Sequence, residues 1–419
     1  MIIRSIILLI FSVSVHASFL QEVTKYLNHD PTYQSKQENQ VSKELSLKEA
    51  RSKLFLPSLN YSYALNNSGP YFSNEETKSK LSRFSLSYTL FNFGSDWKNY
   101  QASKNSLNSF KADKLQTKIE QEFYIIDLLL RRSLYTENIA NELSILELKK
   151  MSLDITTNRY KRGSLSKDSL TRVKIDYYNT KSSLVNLKED LNQVLKSLSG
   201  YNITQNQEIK TNKFPFFEFF KKHGINKVLG LKIKEETPRL TRYREEYETQ
   251  KNYLNSVKLS HLGQISINYS KDKYFTDDNQ DSEGWSSSIV YTLPLFENYS
   301  RQKAPEQAKI NMAVSKTYYD YESRRLNKNR ELTLENLKLA NENFQNRLEI
   351  LNDSSSLYKT VLSRYKKGRI SVSELFVEQD RLLETKKFTN HSIYNLHIQY
   401  ISYIHQLGLS VIENQNLFK

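Results

Sequence analysis

Residues 158–170 read NRYKRGSLSKDSL, and residues 363–375 read SRYKKGRISVSEL. Arg-Tyr-Lys, Gly, Ser and Leu recur at matching places, at an offset of 205 residues. Each string is built around one glycine. Between Gly94 and Gly200 the only Gly or Pro is Gly163, and between Arg301 and Leu407 the only ones are Pro305 and Gly368. Long tracts without breakers read as helix. Each tract is therefore expected to be a long helix, a turn at its glycine and a second helix returning. The first arm, 95–162, would be about 100 Å long if unbroken at about 1.5 Å per residue. No compact globular domain houses such a helix, so it is expected to be a coiled-coil or barrel stave.

Apolar spacing supports this. Leu115, Ile119, Phe123, Ile126, Leu130 and Leu134 step by three and four, as do Leu184, Leu187, Leu191, Val194 and Leu198. Ile393, Leu396, Tyr400, Tyr403 and Leu407 do the same. Such steps lay one apolar seam along each helix for partner helices.

The repeat extends beyond the glycine strings. Asp30-Pro31 is echoed by Thr237-Pro238, and Leu56-Pro57-Ser58-Leu59 weakly by Leu262-Gly263-Gln264-Ile265. Tyr88-Thr89-Leu90 is echoed by Tyr291-Thr292-Leu293, and Gly200 by Gly408. A near-constant offset over this span implies duplication of a whole half. Residues 18–200 form the first repeat and 231–408 the second, each with a helix, two strands, and a long hairpin turning at Gly163 or Gly368. Residues 201–230 are an insertion outside both, with Phe214, Phe216, Phe217, Phe219 and Phe220 as a local packing element. Residues 409–419 are a tail.

The strands have a different texture. Leu59, Tyr61, Tyr63 and Leu65 alternate with polar residues, as do Phe84, Leu86, Tyr88 and Leu90. Ile265, Ile267 and Tyr269 form a third such set, and Trp285, Ile289, Tyr291, Leu293 and Leu295 share one parity. Period-two patterning predicts strands at about 57–67, 81–93, 264–274 and 285–295. Ser68–Lys80 and Lys271–Gly284 read as polar loops. Tyr71, Phe72, Phe91, Phe93, Trp97, Tyr274, Phe275, Phe296 and Tyr299 cluster near strand ends. Two readings compete: a half-buried soluble sheet, or transmembrane strands with an apolar lipid face and a polar lumen. Four strands close no barrel, and lipid tolerates no open edge, so spanning strands would have to be pooled by several chains.

Composition narrows the classes. Arg4, the apolar run Ile6–Val15 and Val15-His16-Ala17 read as a signal peptide over 1–17. No later stretch is apolar enough for a transmembrane helix. The 419 residues include no cysteine, which excludes disulfides and thiolate metal sites. The formal charge is +15, but Lys and Arg are interleaved with Glu and Asp, as in Arg239–Glu248, which is a solvated helix surface rather than a nucleic-acid stripe. There is no phosphate-binding glycine loop or G-x-S-x-G. His223, His261, His391, His397 and His405 lack ligand spacing, so neither enzyme, cofactor nor metal site is expected.

The order of these pieces resembles the outer-membrane efflux protein family, the TolC-type trimeric export ducts. The first half carries DP, LKEARSKLFLPSLNYSY, YTLFNFG, RYKRGSLS and LKSLSG, and the second carries TP, YTLPLF, RYKKGRIS and HQLG. The resemblance covers essentially the whole mature chain. It implies an α+β membrane protein forming a homotrimer, with a 12-stranded transmembrane β-barrel, four strands per protomer, continuous with a long periplasmic α-helical barrel. Residues 201–230 would match the family's equatorial region. The implied place is the outer membrane of a Gram-negative bacterium, reaching into the periplasm. The implied role is the passive exit duct of a tripartite efflux or type I secretion system, with a periplasmic adaptor, an inner-membrane pump and outer-membrane lipid as partners.

The resemblance also assigns the opening strings. The glycine turns would be periplasmic tips, capped by Ser164, Ser166, Ser371 and Ser373. Arg159, Tyr160, Gly163, Ser164, Arg364, Gly368 and Ser371 would contact the adaptor. Tyr365 matches the family's gating tyrosine and Glu374 an acidic position that rings the entrance, where it would favour cations. The family's second acidic position is Val377 here. Its gating arginine is Ile370, with Arg369 one place earlier, and the acidic partner expected at Ser169 is displaced to Asp168. The alternative is a soluble periplasmic coiled-coil scaffold or adaptor, which explains the hairpins but not the four alternating strands.

Overall fold

A computed structural model describes residues 19–68, 77–201, 220, 224–231, 236–276, 282–295, 299–367 and 369–414. The expected signal peptide, Gly368, Tyr71, Phe72, Phe296, His223 and the insertion's Phe214, Phe216, Phe217 and Phe219 lie outside them. The chain is helical over 19–28 (α1), then runs α2 Pro31–Phe55, β1 Ser58–Ser68, β2 Thr77–Phe91, α3 Ser95–Lys161 and α4 Lys167–Ser199. There follow a single turn α5 Asn226–Leu229, then α6 Pro238–Ser260, β3 Gln264–Thr276, β4 Ser282–Thr292, α7 Ser300–Lys366 and α8 Val372–Gln406. The order helix, strand, strand, long helix, helix thus occurs twice, and both long helices, α3 and α7, have 67 residues. Freedom from interior Gly lets each run unbroken. Pro305 lies inside α7, as its sixth residue, where it removes one N–H from the ladder without ending the helix.

The chain divides into two compact units that do not follow the two halves. One comprises residues 1–35, 115–237 and 325–419, the other 36–114 and 238–324, so each draws on both halves.

The first unit holds the main hydrophobic core. Ile125, Ile126, Leu129 and Leu130 of α3 pack with Val194 and Leu198 of α4, Leu337 and Phe344 of α7, and Ile393, Leu396 and Tyr400 of α8. Phe19, Val23 and Leu27 of α1 join them. The three- and four-residue seams supply most of this core, although Leu115 is exposed. Phe220 is fully buried, edge-on to His397 at 4.8 Å and Tyr400 at 5.0 Å, so the insertion's described aromatic packs locally. The start of the tail packs too: buried Glu122 accepts from Ser410 Oγ at 2.6 Å and Ile412 N at 2.9 Å.

The second unit holds one antiparallel sheet in the order β1-β2-β3-β4. Tyr88 donates to the Leu54 carbonyl at the end of α2 at 3.2 Å, and Tyr291 to the Leu262 carbonyl in the turn after α6 at 2.9 Å, tying each strand pair to the chain that leads into it. This is what the recurring Tyr-Thr-Leu does. The hairpins extend further than alternation of apolar residues predicts. Ser68 pairs with Thr77, and Tyr274 with Ser282, so residues read as loop continue the ladder. Polar cross-strand pairs sustain it, with Lys271 and Lys273 each 3.4 Å from Glu283. At the other end, β2 stops before Phe93 and Gly94, which take φ of 55° and 86°, and β4 stops before Pro294, which has no N–H for the ladder.

Candidate functional site

Two features carry the predicted chemistry: the sheet's two faces, and the corners at the ends of α3 and α7.

The pairing register assigns the faces. Leu59, Leu86 and Tyr269 stand in one cross-strand row, Tyr61, Phe84, Lys271 and Trp285 in the next, and Tyr88, Ile267 and Ile289 in another. All share one face. Its large apolar groups are uncovered: Tyr61 and Leu65 are 68% exposed, Trp285 and Ile289 72%. The register shifts between Thr89 and Phe91, so Phe91, not Leu90, pairs with Ile265 on this face. Tyr274 falls on the opposite face, across from Leu81 and Ser282.

That opposite face is lined by small polar groups. Ser58, Ser87, Asn268 and Ser288 make one row, and Asn60, Ser85, Ser270 and Ser286 the next. Ser87 Oγ donates to Asn268 Oδ1 at 2.8 Å, and the Ser270 and Ser286 hydroxyls lie 3.0 Å apart. Among the described residues this face has two charges, Arg83 and Asp272, joined by two hydrogen bonds of 2.8 and 2.9 Å. The sheet is apolar on one face and polar on the other, and within the protomer the edge strands expose both faces, the large apolar groups included.

The first corner is a complete Schellman turn. Gly163 has φ +75°, its N–H bonds the Tyr160 carbonyl at 2.8 Å, and Ser164 N–H bonds the Arg159 carbonyl at 3.0 Å. Ser164 Oγ donates to the same Arg159 carbonyl at 2.8 Å, so Ser164 closes α3 rather than capping α4. Ser166 caps α4, accepting from Ser169 N at 3.3 Å. At the second corner Arg369 N–H bonds the Arg364 carbonyl at 2.9 Å, the counterpart of the Ser164 bond. Ser371 caps α8 by accepting from Glu374 N at 3.2 Å, and its hydroxyl lies 3.2 Å from Glu374 Oε1. Glu374 thus sits three residues into α8 as a capping partner, favoured there by the helix dipole.

Asp168 stands in the first turn of α4, and Arg159 and Arg364 in the last turns of α3 and α7. Tyr160 and Tyr365 are 40% and 38% exposed. Among the described residues no hydrogen bond or ion pair joins Tyr365, Asp168, Arg369 and Glu374 to one another within the protomer.

A polar ladder between α3 and α8 escaped sequence reasoning. Tyr394 donates to Asp127 at 2.6 Å and accepts from Arg131 at 3.1 Å. Asn138 lies within hydrogen-bond distance of Asn390 and His391, Glu142 of Lys387 at 2.5 Å, and Lys149 of Asp380 at 2.6 Å. Partner numbers rise on one helix as they fall on the other, the mark of antiparallel helices. Burial, then the bond to Asp127, pushes the Tyr394 hydroxyl up to about 12. Burial, then Lys387, lowers the His391 pKa. The one signal in the sequence was polar residues interrupting the apolar seams at the same depth.

Among the described residues no helix is long and apolar enough to cross a membrane, and no group of His, Asp or Glu is arranged to hold a metal ion.

No protein-family model matches the chain, and no curated protein matches it in sequence. Solved structures do match. The CmeC outer membrane channel of Campylobacter jejuni aligns with TM-score 0.77 at 14% identity, over 93% of this chain and 85% of that one. The outer membrane protein VceC of Vibrio cholerae aligns with TM-score 0.73 at 11% identity, over 94% of this chain and 97% of that one. The open state of the MtrE outer membrane channel of Neisseria gonorrhoeae aligns with TM-score 0.73 at 13% identity, over 93% and 88%. The likeness is one of fold, and it spans nearly the whole chain.

Proposed function

We propose that a chain with this channel fold is one protomer of a homotrimeric outer-membrane duct. Three four-stranded sheets pool into a twelve-stranded barrel, and the long helices of three chains form a periplasmic tunnel. The duct passes cargo passively from an inner-membrane pump and a periplasmic adaptor to the exterior. The two sequence halves give each protomer two equivalent hairpins, so six corners meet at the tunnel mouth.

The observation that carries this reading is the bare apolar face of a sheet whose edge strands β1 and β4 have no partner strand among the described residues. Water penalises such a face, at about 25 cal/mol per Å² of apolar area left exposed. Lipid accepts the face but not the edges. Pairing β4 of one chain with β1 of the next answers both. Strands of 11 to 15 residues are long enough to cross at the usual tilt. The soluble-scaffold alternative would leave Trp285 and Ile289 in water. Fractionation separates the two: the duct needs detergent and has three times the protomer mass, whereas a scaffold is soluble.

The corners are proposed as the gate and the adaptor contact. Tyr365, Asp168, Arg369 and Glu374 would act between neighbouring hairpins, and Arg159, Tyr160, Gly163, Ser164, Arg364, Gly368 and Ser371 would meet the adaptor. Tyr365→Phe with Asp168→Ala is expected to raise the closed-state conductance in planar bilayers. Unchanged conductance would remove these two residues from the gate.

A further inference from the structure

The two corners gather charge of one sign. Residues 158–170 carry Arg159, Lys161, Arg162 and Lys167 against Asp168, and residues 363–375 carry Arg364, Lys366, Lys367 and Arg369 against Glu374. Each corner therefore has four cations to one carboxylate, where the whole chain has 61 to 46. Gly368, which bears no charge, is the one residue of the two strings outside the described ones, so the balance is complete along both. All eight basic side chains are exposed, and among the described residues none forms an ion pair with a carboxylate.

Helix ends explain only part of this. Arg159, Lys161, Arg364 and Lys366 stand in the last turns of α3 and α7, where the helix dipole favours a cation. Lys167 is the first residue of α4, and Arg369 lies two residues ahead of Ser371, the cap of α8. There the dipole favours a carboxylate instead, and a carboxylate would solvate the turn as well. Asp168 and Glu374 follow that preference, and Glu374 is held to its own helix start by Ser371. Positive charge is thus kept at both corners against the local preference of the returning helices, which points to an anionic species outside the chain.

We infer that the corners make the tunnel mouth an anion-attracting entrance, and that the duct favours cargo with net negative charge, borne by carboxylate or phosphate groups. This rests on the duct reading, which brings the six corners of three chains to one opening. An opening lined by charge of one sign gathers counter-ions before any contact forms, raising their local concentration by about 10- to 1,000-fold. The charges are exposed, so salt must weaken the effect: the screening length is about 30 Å at about 0.01 M and about 3 Å at about 1 M. Lys161, Lys167, Lys366 and Lys367 belong neither to the proposed lock nor to the proposed adaptor contact, so changing them leaves both sets of residues intact.

The test uses the full chain, purified as a trimer in detergent and reconstituted into planar bilayers. Reversal potentials across a KCl gradient are expected to show anion preference, strong in dilute KCl and fading toward about 1 M. An oligoglutamate peptide should interrupt the current from one side only, and an oligolysine peptide of equal length should not. Lys161→Gln, Lys167→Gln, Lys366→Gln and Lys367→Gln together should slow the onset of that block at least about tenfold and move the reversal potential toward cations. The four Lys→Arg changes should behave as wild type, which separates lost charge from disturbed turns. A cation-preferring wild type, or a Gln variant with wild-type potential and block, overturns the entrance and leaves the duct standing. If the peptide binds through these lysines but neither current nor potential responds, the corners face an acidic protein partner and the entrance is wrong. If the chain forms no trimer and conducts nothing, the duct reading fails and takes the entrance with it.

Discussion

Gly163 and Gly263 both hold a left-handed φ, +75° and +85°, but for different reasons. A Cβ on Gly163 meets nothing within 4 Å, so Gly163→Ala carries only the conformational cost, about 1 kcal/mol. A Cβ on Gly263 would lie 2.5 Å from the Thr292 carbonyl oxygen, a backbone atom of the adjoining strand end that cannot swing away. Gly263→Ala is expected to cost roughly 3 kcal/mol, strain and overpacking together. Heat unfolding in detergent should rank the two, with Gly263→Ala the lower; equal losses would mean the sheet base adjusts freely. The prominent glycine was legible from its isolation in the sequence. The more constrained one was not, because its neighbour is about thirty residues away along the chain and only the strand pairing brings it close.

His391 gives a pH dependence with a definite sign. Asn138 uses its oxygen to accept from Asn390 and its nitrogen to donate to His391 Nε2, at 3.1 and 3.2 Å, so the imidazole must be the acceptor and neutral. The charged neighbours on both helices are Lys387 and its partner Glu142. Burial and Lys387 hold the folded pKa below the usual value of about 6.5. Stability is therefore full above about pH 6.5 and falls as pH drops through the folded pKa, because the unfolded chain takes up the proton first. Urea unfolding at about pH 7.5 and about pH 5 should show an acid loss in the wild type that is smaller in His391→Gln. An equal loss in both would put the acid sensitivity elsewhere.

At the scale of elements, the strands' two faces make separate predictions. Under the duct reading the Ser and Asn rows line the lumen, and Arg83 and Asp272 cancel each other there. Asp272→Asn leaves Arg83 uncompensated in each of three chains. Reversal potentials across a KCl gradient are expected to move toward anion preference, and Arg83→Gln to move them toward cations. No movement in either variant would mean this face does not line the conducting path. Alternation at Leu59–Leu65 and Phe84–Tyr88 makes the two faces readable from the sequence alone. It does not reveal the bulge that puts Phe91 in the place of Leu90, because a bulge is a property of the pairing. It also misses the distal rungs around Lys273 and Glu283, where charge pairs replace apolar alternation. The helices are the more legible elements, since a tract of 67 residues without interior Gly admits few alternatives. The ladder from Asp127 to Lys149 stays hidden, since its partners lie on α8, more than 200 residues away in sequence.

At the scale of the whole molecule the proposal stands on assembly. Among its described residues one chain supplies four strands and two open edges, and the function proposed for it exists only if other copies close them. The absence of cysteine from the sequence makes this directly testable. Within a protomer β1 and β4 are opposite edges, three strand spacings or about 14 Å apart, beyond the reach of a disulfide. Introduced cysteines can therefore join β1 to β4 only between chains. Asn60→Cys or Ser62→Cys on β1 should be combined in turn with Ser286→Cys and Ser288→Cys on β4, and the protein oxidised in native membranes and run on denaturing gels without reductant. The account predicts covalent dimers and trimers, and no larger species, in at least one register. Monomer alone in every register would contradict the shared barrel, and with it the duct.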